Sequence, residues 1–175
     1  TINNSVIANN TANGTGSPAG SGGGIFNDAG GMLTINDSEI SNNTANRAGG
    51  GIEDNSGMGL GTTLNNVDFL NNNAGVSPAT AAPGNGGAVH VSGDGSIDFN
   101  GGTAVGNIAA LEGGALWNSV GTMTVNAMTI DDNDAQGDDA DTGGGGIFNN
   151  GGTLSVTANT IITNKTKLVT ISAMS

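Results

Sequence analysis

The chain has 175 residues with 33 Gly, no Cys, no Tyr, one Trp and one His, which excludes disulfide frameworks, thiolate metal sites and His-cluster zinc or haem sites. Three Lys plus Arg against 15 Asp plus Glu give a net charge of −12, a surface that repels phosphate backbones and argues against nucleic acid or anionic lipid as partners. Charged residues are only 10% of the chain and large aliphatic side chains are sparse, so order has to come from repetition rather than from one large core.

In chain order, the first block runs from Ile2 through Ile7 to Asn10, and the spacing between these three residues recurs along the whole sequence. After residues 13–21 comes a second motif, small residues followed by an apolar one, at Gly22 to Ile25, and then the short stretches MLTIN and SEISNN with Ile35, Ile40 and Asn43. Gly49 to Ile52 leads to Leu64, Phe69 and Asn72; residues 75–85 are an insertion before Gly86 to Val89, followed by Phe99, Ala104 and Asn107. Gly113 to Leu116 leads to Val125, Ile130 and Asn133. Residues 136–143 precede Gly144 to Ile147, and Val156, Ile161 and Asn164 complete the series. From Ile25 to Ile52 and from Val89 to Leu116 is 27 residues, the length of the basic unit.

Each unit holds three short apolar or β-branched stretches punctuated by Gly, Asn and Asp, and none shows helical spacing. A unit this small cannot bury its own two faces, so successive units must stack strand on strand. The prediction is one all-β domain over residues 1–175: a right-handed parallel β-helix of about five and a half coils, three short strands to a coil, rising on the order of 26 Å. Asn10, Asn43, Asn72, Asn107, Asn133 and Asn164 then lie above one another, each side-chain amide bonding to the same residue one coil away. The glycines of the second motif supply positive φ at turn exits.

The pairing of GGAV (86–89) and GGAL (113–116) with IANN (7–10), ISNN (40–43) and FLNN (69–72) resembles the repeat of the chlamydial polymorphic outer-membrane proteins and of bacterial surface proteins with right-handed parallel β-helix passengers. The resemblance covers residue 1 to about residue 166; the leading residue of the second element is Phe at Phe69 and Ile or Ala elsewhere. It implies a chain secreted or displayed at the cell surface, often adhesive, and generally without catalytic residues in the repeats. No cofactor is expected, calcium at the acidic segment described below being the alternative.

Strand alternation directs the residue after each motif's apolar position outward. Phe26, Glu53, His90, Trp117 and Phe148 form that column. Either the neighbouring insertions cover it, or it is a contact surface for sugars or a protein with Trp117 as its most exposed member. Glu39 and Asp68 share a column about 5 Å apart along the stack, near the separation of a retaining glycosidase pair, or are simply solvated. Asp131, Asp132, Asp134, Asp138, Asp139 and Asp141 crowd one segment; a solvated acidic loop and a calcium site on Asp138, Asp139 and Asp141 are the alternatives. Thr34, Thr63, Thr124 and Ser155 form a hydroxyl column, but Asn replaces the second hydroxyl column that an ice-binding face would need.

The chain opens within a coil and closes with the alternating KLVTISAMS. Bare coil ends invite either continuation in a longer solenoid or end-to-end stacking of copies into a filament. The expectation is a non-enzymatic, extracellular structural or adhesive element of a bacterium. Its partners would be itself, or glycans or proteins of a matrix or host surface; a polysaccharide-binding or polysaccharide-cleaving β-helix is the alternative.

Overall fold

A computed structural model of the chain describes residues 1–16, 19–139, 141–158 and 160–166. Among these residues all regular structure is β, and no helix is long and apolar enough to cross a membrane. The strands form a 13-stranded and a five-stranded sheet, and every strand pair is parallel. This is a β-solenoid of about five coils.

Each full coil begins with a three-residue strand of the smaller sheet: Ile25–Asn27, Ile52–Asp54, Val89–Val91, Leu116–Asn118 or Ile147–Asn149. A corner leads into a long strand with two legs, as in Leu33–Ser41, Gly61–Leu70 and Ser96–Val105. A second corner gives a two-residue strand such as Thr44–Ala45 or Asn73–Ala74. The three predicted stretches correspond to the short strand and the two legs; the two-residue strand was not foreseen.

The repeat anchors lie in register. Ile2 pairs with Ile35, Ile35 with Leu64, Leu64 with Phe99, Phe99 with Val125 and Val125 with Val156. A second apolar file runs Ile40, Phe69, Ala104, Ile130, and a third runs Ile52, Val89, Leu116. Their middle members are fully buried. Volumes are balanced between files: the coil whose second file carries Ala104 has Phe99 in its first, and Phe99 meets Phe69 edge-on at 6.2 Å. At the C-terminal coil the predicted spacing slips. Ile130 pairs with Ile162, not Ile161, and an irregularity between Asp131 and Asp134 restores the alignment by Asn164.

Two files of left-handed residues shape the long strand. Asn4, Asp37, Asn66, Gly101, Ala127 and Ala158 bend it between its legs, and Asn9, Asn42, Asn71, Gly106 and Asp132 turn it at the end of the second leg. Asn, Asp and Gly tolerate this conformation at little cost, whereas alanine does not. In the pairs Asn9-Asn10, Asn42-Asn43 and Asn71-Asn72 the first residue makes the bend and the second points inward.

That second residue builds the predicted file. Each of Asn10, Asn43, Asn72, Asn107 and Asn133 donates its Nδ2 to the Oδ1 of the next in the series, ending at Asn164, at 2.7–3.1 Å. The same Oδ1 also accepts the preceding residue's backbone N–H. Asn43, Asn72, Asn107 and Asn133 donate Nδ2 a second time, to the carbonyls of Ile7, Ile40, Phe69 and Ala104, and Asn164 Nδ2 donates to the Ile130 carbonyl. An outer ladder of Asn100, Asn65, Asn36 and Asn3 runs with the opposite polarity on the solvent face.

The glycine motif holds glycine for two reasons. Gly22, Gly49, Gly86, Gly113 and Gly144 have φ between 62° and 67°, as predicted. The next position is tight between coils: a Cβ on Gly23, Gly50, Gly87 or Gly114 would sit 2.1–2.2 Å from the carbonyl oxygen of the equivalent residue one coil on.

Candidate functional site

The column on the smaller sheet is in strict register: Phe26, Glu53, His90, Trp117, Phe148. Its chemistry differs from the sequence expectation at the middle. Glu53 is 1% exposed, and Trp117, expected to be the open member, is 7% exposed. The reason is stacking within the column. The His90 and Trp117 rings lie 4.3 Å apart at 16°, and the Trp117 and Phe148 rings 6.4 Å apart at 8°. Trp117 also ties its Nε1 to Glu112 Oε2 at 2.8 Å.

Glu53 would be costly to bury unpaired, and both its oxygens are satisfied. His90 Nδ1 lies 2.9 Å from Oε2, and Ser92 Oγ donates to Oε1 at 2.5 Å. A partner for His90, which the sequence did not identify, is therefore one coil below it. Ser92 and His90 both engage the carboxylate, so the Ser92 hydroxyl is directed at Glu53 and not at the imidazole. Insertion 75–85 bonds to a neighbouring corner: Thr80 N–H to Asn46 Oδ1, Gly84 N–H to the Arg47 carbonyl, and Leu111 N–H to the Gly84 carbonyl. The candidate contact surface of Phe26, His90, Trp117 and Phe148 thus narrows to its ends, with Phe26 37% exposed and Phe148 half-buried.

The long sheet carries a shallow groove of about 380 Å³ lined by Asn4, Ser5, Val6, Asp37, Ser38, Glu39, Asn66 and Asp68. Glu39 and Asp68 are register partners on adjacent coils, as predicted. Ser41 Oγ donates to Glu39 Oε1 at 2.6 Å, Thr103 Oγ1 to Asp68 Oδ1 at 2.8 Å, and Asn66 Nδ2 to Asp37 Oδ1 at 3.0 Å. The groove arises because the bend at Asn4, Asp37 and Asn66 sinks the following residues, Ser5 and Ser38, and leaves Val6, Glu39 and Asp68 as a wall.

Other predicted positions do not assemble. Among the described residues no three His, Cys, Asp or Glu side chains close on a common point. At the acidic loop, the Asp139 backbone instead exchanges hydrogen bonds with Thr142, which leaves the calcium expectation for Asp138, Asp139 and Asp141 without a coordinating cluster. The hydroxyl file Thr34, Thr63, Thr124 and Ser155 is interrupted by Asp98, which stands between Thr63 and Thr124. The tail 167–175 lies outside the described residues.

Comparison of the chain with protein-family profiles, curated proteins and solved structures finds no significant match. The reading of function therefore rests on this chain's own residues and repeat.

Proposed function

We propose that the chain is a rigid, non-enzymatic β-solenoid element of a bacterial surface or extracellular matrix, structural or adhesive in role. The observation that carries this reading is the continuous inner amide file from Asn10 to Asn164, which links each coil to the next through side chain and backbone at once. Such a stack resists bending and local opening without disulfides, and it costs the chain many positions that an enzyme would use for chemistry. The repeat's resemblance to displayed β-helix passengers and the low charge density point the same way. Its partners are glycans or proteins of that surface, or further copies of the chain.

Protease shaving of intact source cells, followed by fractionation, tests the location. The protein should appear in the shaved or secreted fraction. Recovery only from the cytosol would overturn this reading. An assay for newly formed reducing ends with neutral and acidic polysaccharides should stay at background, and turnover lost in E39Q would establish an enzyme instead.

A further inference from the structure

The groove on the long sheet runs across three successive coils, and therefore along the solenoid axis: Asn4, Ser5 and Val6 come from one coil, Asp37, Ser38 and Glu39 from the next, Asn66 and Asp68 from the third. Its wall continues in register through Thr103 to Thr129. A ligand lying in it meets an equivalent position at every coil, about 4.8 Å apart, close to the roughly 5 Å advance per residue of an extended sugar polymer.

The hydrogen-bonding inventory specifies the rest. In each of Asp37, Glu39 and Asp68 one carboxylate oxygen accepts a bond from a neighbour, and among the described residues no side-chain donor reaches the other. Arg47, one of three Lys or Arg in the chain, is turned to Ser21 Oγ. The groove is rich in acceptors, so its ligand must bring donors, which sugar hydroxyls do. Three carboxylates and a net charge of −12 repel a uronate or sulfated polymer. At the groove's end Val6 is 69% exposed and offers an apolar surface to the C–H face of a pyranose ring.

We propose that this groove binds an extended, uncharged glycan lying along the solenoid axis, with sugar hydroxyls donating to Glu39 and Asp68. The proposal deepens the surface-element reading by naming a ligand class and rests on it only for where the glycan is met.

The test is titration of the ¹⁵N-labelled chain with a neutral β-1,4-linked hexasaccharide and, separately, a hexagalacturonate. Amide shifts of Ser5, Val6, Ser38, Glu39 and Asp68 should move with the neutral sugar, saturating near a millimolar or below, and should not move with the uronate. E39Q/D68N keeps the shape and the acceptors for Ser41 and Thr103; its affinity should fall about tenfold, while D94N on a separate corner leaves it unchanged. Absence of shifts in the wild type, shifts mapping elsewhere, or equal affinity in E39Q/D68N would overturn the proposal. So would a response of the same amides to calcium chloride alone with none to the sugar. Because the titration is made in solution, its failure leaves the surface location standing, and a cytosolic location leaves the binding standing.

Discussion

Asparagine does two separate jobs in this chain, and the difference is energetic. Asn72 is fully buried, and its amide serves the Asn43 backbone N–H and Nδ2, the Asn107 Oδ1 and the Ile40 carbonyl. Asn72→Ala strands these groups away from water, so the expected loss is about 3–5 kcal/mol, read as a lower denaturant midpoint. Asn100 makes a similar-looking bond to Asn65 in contact with solvent, where water replaces the lost partner, and Asn100→Ala should cost under about 1 kcal/mol. Equal losses at the two positions would mean that the inner file is not the stabilising one. The column of Glu53, His90 and Trp117 offers an optical check, because Trp117 is the sole tryptophan. His90→Ala removes the ring stacked on it and leaves Glu53 buried without its imidazole partner. A loss of about 3–5 kcal/mol and a red-shifted Trp117 emission are expected; an unchanged spectrum would contradict the stacking. This column shows where sequence reasoning stopped. Alternation correctly put the five residues on one face, but whether a side chain is exposed depends on the height of its neighbours along the stack, and sequence spacing carries no such height.

Among the elements, the strand files were legible because identical side chains recur at fixed offsets, and the offsets survive insertions placed before the glycines. The two bends of the long strand were not. Their left-handed residues include Asp37, Asp132, Ala127 and Ala158, which carry no glycine signature, and Asn42 and Asn71 read equally well as ladder members. The groove that depends on the first bend was therefore seen only as a carboxylate pair, Glu39 and Asp68. The glycine motif was partly legible. Its first position fits the φ argument, whereas the second is demanded by the packing of one coil on another: a methyl group on Gly87 would lie 2.1 Å from the Gly114 carbonyl oxygen. Gly87→Ala should therefore separate two coils and abolish cooperative folding at 37 °C, while Gly30→Ala, with open space at its Cβ, should be neutral within about 0.5 kcal/mol. Circular dichroism melts of the two variants make the comparison.

As a whole molecule the chain is a column of near-equivalent layers, stabilised mainly by contacts between neighbouring coils. Disulfides play no part, and the apolar files are narrow, so the hydrogen-bonded files carry an unusual share of the order. Stability should accordingly be uniformly high through the coils of Asn43, Asn72, Asn107 and Asn133, each of which has a rung on both sides. The most direct measurement is residue-resolved hydrogen exchange of the backbone amides and Nδ2 groups of Asn43, Asn72, Asn107 and Asn133. All four should exchange slowly as one cooperative set, far more slowly than the solvent-facing Nδ2 of Asn100. Exchange of these four at unrelated rates, or as fast as Asn100, would contradict a continuous amide file and with it the solenoid's central support.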